Sequence, residues 1–106
     1  MTTAFIRATA LINSGAVTLY TCPVGRSARL VASSIAEINN VTASFAFYMT
    51  DHSNGDAVMY FLKSASLSAY GNSWPSSGHI LNAGDTLVCQ RISGTMHCIV
   101  SLIEIY

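Results

Sequence analysis

The residue types able to do chemistry in this chain are few, and their spacing is poor. His52, His79 and His97 show neither HxxxH nor HxH spacing, and Cys22, Cys89 and Cys98 form no CxxC pair. His97-Cys98 with Cys89 is the one local set of ligand types, whereas closed structural zinc sites are built from two closely spaced pairs. Adjacent residues of a strand point to opposite faces, so His97 and Cys98 also fail as a general base and its nucleophile. The segment DHSNGD at 51–56 has the oxygen-rich composition of a calcium loop. It lacks the glycine at the sixth position and the terminal glutamate of an EF-hand, and reads as a hairpin. Glu37 and Glu104 are the residue types of a glycosidase pair, which needs its carboxyls about 5–9.5 Å apart, and the sequence does not set their separation. The expectation is a protein that is not an enzyme, with no cofactor and no metal.

Two small groups suit binding instead. Trp74, with Tyr70, Asn72 and Ser73 beside it, has the composition of a glycan or receptor contact, because a ring stacks on a sugar face while amides bond its hydroxyls. The alternative, preferred here, is that Trp74 anchors its loop on its own domain. Arg26 and Arg29 can each form a forked bond to carboxylates or carbonyls of a partner. Their other reading is a pair of solvated cations beside a turn.

The elements that position these residues belong to a chain unusually poor in charge. Of its 106 residues, 9% are charged and 51% hydrophobic, with a mean hydropathy of +0.43; a soluble domain carries about a quarter charged residues. The length suits one domain spanning 1–106 with one core. Such a domain exposes roughly 5,700 Å², or about one charged group per 570 Å², which implies that copies of itself or another protein cover part of the surface. No stretch approaches the ~18 apolar residues of a membrane span, and Arg7 interrupts the short apolar N-terminus, so neither a membrane nor a signal peptide is expected. Net charge is zero with histidine neutral. Nucleic acid is not expected as a partner, since phosphate binding calls for a basic excess. Three cysteines without paired spacing read as free, buried thiols.

Periodicity predicts short strands and no capped helix. AFIRATALI at 4–12, AVTLYTC at 16–22, ARLVASSIAEIN at 28–39, TASFAFYMTD at 42–51 and AVMYFLK at 57–63 come first. A Ser/Gly-rich excursion at 64–78 follows, then ILNAGDTLVCQRI at 80–92 with a turn at 82–85, and a last strand at 95–106. Pro23 and Gly25 should reverse the chain, and Asn54-Gly55 is a hairpin signal. In the 28–39 strand, Leu30, Ala32, Ser34, Ala36 and Ile38 share one face; neither face is wholly apolar, which predicts a bulge along it. Phe45, Phe47 and Met49, with Val88, are expected in the core. The last strand is apolar on both sides, with Cys98, Val100 and Leu102 opposite Ile99, Ile103 and Ile105, as in a strand between two layers or at an interface. The fold class is all-β, a two-sheet β-sandwich with jelly-roll connections as one form and closure into a barrel as the alternative.

The run TLYTCPVGRSARLVASSIAEINN at 18–40, the later ILNAGDTLVC and the terminal CIVSLIEIY together resemble small β-sandwich structural proteins of tailed bacteriophages. In that pattern a Leu-Tyr-x-x-Pro-x-Gly strand end leads through a polar turn to a long strand closing on asparagine, and Leu-x-x-Gly-Asp-x-Leu precedes the last hairpin. The resemblance covers most of residues 17–106; the three cysteines and the aromatic middle depart from it. It implies a virion location after synthesis in the host cytoplasm, and a homotrimer that contacts the major capsid protein or other virion proteins. The role it implies first is a capsid cement or decoration subunit; the alternative is a neck or tail fibre module, or a receptor- or glycan-binding module. Asn39 and Asn40 are then expected to bond backbone groups where the long strand ends.

Overall fold

Alternating apolar residues between turn signals produce nine strands in a computed structural model that describes residues 1–75 and 77–106. The strands are β1 (Thr3–Ile12), β2 (Ala16–Thr21), β3 (Ser27–Glu37), β4 (Ala43–Asp51), β5 (Ala57–Leu67), β6 (Asn72–Ser73), β7 (Ile80–Leu81), β8 (Thr86–Ser93) and β9 (Met96–Ile105). A single 3-10 turn, His52–Asn54, joins β4 to β5 as the Asn-Gly signal predicts, with Gly55 in the left-handed region. Between β2 and β3, the Arg26 N–H donates to the Pro23 carbonyl at 3.2 Å, and Gly25 has φ 79°. Pro23 is thus the first residue of a β-turn whose corners are Val24 and Gly25, and the positive φ falls on the glycine that tolerates it.

The strands form two antiparallel sheets ordered β1-β9-β3-β6, with β7 also on β3, and β2-β8-β4-β5. Each position of one sheet faces its chain neighbour in the other: β1 with β2, β9 with β8, β3 with β4, and β6 with β5. This is the wrapped order of a jelly roll, so the sandwich form holds and barrel closure does not. The β1–β2, β2–β3, β3–β4, β7–β8 and β8–β9 connections therefore cross between sheets, while the β4–β5 hairpin stays within one.

Phe45, Phe47, Leu30, Ile35, Leu87, Cys89, Cys98, Val100 and Leu102 are buried between the sheets in one cluster. Val88 is buried as well, while Met49 is only half-buried, because it lies at the hairpin end opposite the exposed Met59. The bulge expected in β3 falls between Leu30 and Ala32. It corrects the predicted faces: Ala28 and Leu30 point inward before it, Ser33, Ile35 and Glu37 after it, and both Val31 and Ala32 point out. Two further differences follow from pairing. β5 runs on to Leu67, past a register shift opposite Phe45 and Phe47, because Leu67 is buried opposite Ala43. The segment 80–92 is split, with β7 joining β3 in one sheet and β8 lying in the other.

Phe47 is fully buried and also packs its ring against Phe61 at a centroid distance of 5.3 Å. Phe47→Ala should therefore lower unfolding free energy by about 3–5 kcal/mol, measured by urea denaturation. A midpoint equal to that of the unmodified chain would contradict this register.

Candidate functional site

Three of the five carboxylates, Glu37, Asp85 and Glu104, are buried. A buried carboxylate is tolerated only when donors surround it, and each of these three gathers donors from a different loop. Glu37 ends β3 and accepts the backbone N–H groups of Val41 at 2.9 Å, Tyr70 at 3.0 Å and Asn39. Burial pushes its pKa up, but the N–H groups of Tyr70, Asn39, Val41 and Asn40 outweigh it and hold the carboxyl below the usual glutamate range. The asparagines expected to bond backbone groups thus present their own N–H groups to Glu37. Asp85 accepts the His52 N–H and the Asn82 N–H, each at 2.8 Å, and so ties the β4–β5 turn to the turn before β8.

Glu104 lies at the opposite end of the sheet from Glu37. Its carboxylate accepts the Tyr20 hydroxyl at 2.5 Å and the Arg26 guanidinium at 2.8 Å, and the same guanidinium lies 3.7 Å from the centre of the Tyr106 ring. The Tyr20 hydrogen bond lowers the Glu104 pKa, burial opposes it, and Arg26 adds to the lowering. Tyr20 moves the other way, above its ordinary value, through burial first and then its bond to Glu104. This clasp explains the Leu-Tyr-x-x-Pro-x-Gly-Arg spacing: the tyrosine ends β2, the turn reverses the chain, and the arginine returns to the same carboxylate.

The remaining candidates are kept apart, except that Cys89 and Cys98 meet in the core through a side-chain hydrogen bond. Glu37 pairs in register with Met96 and Glu104 with Ala28 at the other end of β9, eight residues on. At about 3.3 Å per residue that is roughly 26 Å, several times the reach of a glycosidase pair. His97 is exposed and Cys98 buried, His52 meets Asp56 at 3.0 Å, and His79 stacks on Phe61 with centroids 4.5 Å apart. No group of three metal-ligating side chains occurs among the described residues. All three cysteines are free and buried, as expected from their spacing.

The two arginines singled out in the sequence part company. Arg26 turns to Glu104 within the chain, whereas Arg29 is exposed on the outer face of the β1–β9–β3 sheet. Trp74 is not packed on its own domain; it is 71% exposed, and nearby Tyr70 is 67% exposed with φ 55°. Asn72 and Ser73 form β6, whose pairing with β3 brings Trp74 beside Val31, Ala32 and Ser33. The sequence pointed to an outer apolar face on the last strand, and the structure shows how far that face extends. Phe5, Val31, Ile99 and Leu11 are 83, 45, 44 and 49% exposed there, beside the half-buried Ile103 and Ile105. The signal was present in the doubly apolar β9.

The carboxylates also set the pH response. Glu37 and Glu104 have folded pKa values below those of the unfolded chain, so their contribution to stability is complete above the ordinary glutamate value, 4.5, and is lost as pH falls through the lower folded values. The thermal midpoint should therefore hold from pH 7 to about 5 and fall on further acidification. Glu104→Gln should lower the midpoint at pH 7 and flatten the acid slope, both read by circular dichroism melts; an unchanged slope would remove Glu104 from the account.

No protein-family model matches the chain, and no curated protein is similar to it in sequence. Solved structures are similar in fold. A chain from the acid-stable capsid of the Helicobacter pylori bacteriophage KHP30 is 15% identical, with a TM-score of 0.60, covering 100% of this chain and 94% of that one. The Drosophila NLP-core, whose structure is described in terms of pentamer formation and histone binding, is 14% identical, with a TM-score of 0.57 over 97% of this chain and 99% of that one. The shared feature is the two-sheet sandwich over nearly the whole length of each chain.

Proposed function

We propose that this chain is a virion structural protein, specifically a capsid cement or decoration subunit that reinforces a shell through protein–protein contacts. The observation that carries the reading is the outer face of the β1–β9–β3 sheet, apolar and uncovered in a chain that has withdrawn most of its carboxylates from the surface. A sheet face of this kind marks an interaction site. The likeness to a phage capsid chain of nearly the same extent supports a virion setting, and the NLP-core, described in terms of pentamer formation, is a case of this fold in an oligomer. The mechanism is mass action: a subunit that binds only the assembled shell stabilises it by RT ln(1 + [L]/Kd). The subunit acts as a homotrimer, contacts the major capsid protein or other virion proteins, and performs no catalysis.

A second reading is favoured by Tyr70 and Trp74, which stand open to solvent beside Asn72 and Ser73. An exposed ring pair with an amide suits a receptor or glycan, as in a neck or tail fibre module.

Sedimentation equilibrium at micromolar concentration tests the assembly, with three times the 11.3 kDa chain mass expected. A soluble monomer would overturn self-association. Particle assays separate the two roles. Arg29→Glu should lower the resistance of particles to heat without changing adsorption to the host, and Trp74→Ala should leave both unchanged. Loss of adsorption in the Trp74 variant, with normal particle stability, would replace the cement reading with the binding module.

A further inference from the structure

The outer face of the β1–β9–β3 sheet has a fixed lattice of residues. Across the three strands, Phe5 pairs with Ile103 and Ile103 with Arg29; the next outward row is Arg7, Ser101 and Ala32. Arg7 and Arg29 thus sit on outer strands, one row apart, on either side of β9. With strands about 4.8 Å apart and two residues spanning about 6.8 Å, their Cα atoms lie roughly 12 Å apart. A shallow depression beside Arg7 is lined by Phe5, Val31, Ser101 and Ile103, and an adjoining one, also bordered by Val31 and Ile103, is lined by Arg29. Val31 is there because the β3 bulge turns it outward. The two cations have no carboxylate near them on this face among the described residues: Glu104 and Glu37 point inward on the same sheet.

A second copy of the chain is a poor occupant. Pairing two such faces about a two-fold axis sets arginine against arginine, and like charges across an interface oppose binding. Another surface of a copy does not supply the missing charge either. The carboxylates left outside the core are Asp51 and Asp56, five residues apart in one turn where each already accepts a local hydrogen bond, Asp51 from Ser53 and Asp56 from His52. That turn does not present two acids on one face of an extended segment, so a different protein is the better complement.

We infer that this face receives an extended segment of another protein carrying an acid-x-apolar-x-acid pattern. Residues two apart in a strand share a face, and residues four apart are about 13 Å distant, which matches the Arg7 to Arg29 spacing. The two carboxylates fork onto the arginines, and the apolar side chain between them fills the depression beside Val31 and Ile103. The inference deepens the cement reading and depends on it only for the partner's identity as a virion protein.

The test uses capped synthetic peptides and the intact chain. A Glu-Thr-Ile-Thr-Glu peptide should shift the NMR signals of Val31 and Ile103, and binding should weaken with salt. Arg7→Glu with Arg29→Glu, both at exposed positions, should keep the melting temperature, weaken that peptide at least tenfold, and bind the Lys-Thr-Ile-Thr-Lys version instead. Equal binding of a Gln-Thr-Ile-Thr-Gln peptide, shifts confined to another surface, or no binding would overturn the inference. So would a Val31→Lys variant that turns an oligomer into a monomer, which would make a second copy the occupant. Particles that lose heat resistance in the double variant while the peptide fails would keep the cement reading and discard the motif.

Discussion

The structure depends on carboxylates placed inside it. A sandwich whose chain passes repeatedly from sheet to sheet concentrates unpaired backbone N–H groups in its end loops, and these groups need acceptors. Glu37 and Asp85 supply them, Glu37 to the N–H of Tyr70 and Asp85 to those of His52 and Asn82, while Glu104 holds its end through the Tyr20 hydroxyl and the Arg26 guanidinium. Burial disfavours the charged form, and the collected donors reverse that preference at Glu37 and Glu104. In consequence the end loops are fixed by charge-assisted bonds and not by glycine-free rigidity or disulfides.

This placement changes the meaning of the composition. A net charge of zero suggests a neutral surface, yet one arginine is paired within the chain and three carboxylates are buried, so Arg7, Arg29, Lys63 and Arg91 face only Asp51 and Asp56 outside. The surface is sparsely cationic. Lys63, near the register shift of edge strand β5, suits the protection of an exposed edge, since charge and irregularity both discourage strand addition. Arg7 and Arg29 have no such duty, and their position on an apolar face is the better guide to contacts.

Much of the fold was legible because strand alternation and turn chemistry are local. The long strands, the Pro23–Gly25 reversal, the Asn54-Gly55 hairpin and the core phenylalanines followed from neighbours within a few residues, whereas the two-residue β6 lies in the stretch read as a loop. What escaped was nonlocal. The β3 bulge could be expected from its mixed faces, but its place between Leu30 and Ala32 depends on pairing with β9, and that place alone decides whether Val31 points in or out. The roles of Glu37 and Glu104 escaped for the same reason, since their partners lie up to 84 residues away. Arg26 and Arg29 look equivalent in sequence, three residues apart across a turn; only the position of Glu104 separates a structural cation from an exposed one.

The exposure of β9 follows from the same topology. It occupies the centre of its sheet between β1 and β3, so both edges of its backbone are satisfied and its side chains divide between core and outer face. A strand with polar residues on the outer side would leave the core unchanged, because Ile99, Ile103 and Ile105 make no contribution to the buried cluster. Core packing therefore does not account for three isoleucines there. Bulge placement points the same way: an unbroken β3 would present alternate residues, whereas the bulge sets Val31 and Ala32 outward together beside Ile103 and Ser101. An apolar outer strand and an outward bulge, neither needed by the core, meet on one face, and an uncovered apolar face of this kind is the mark of an interaction site.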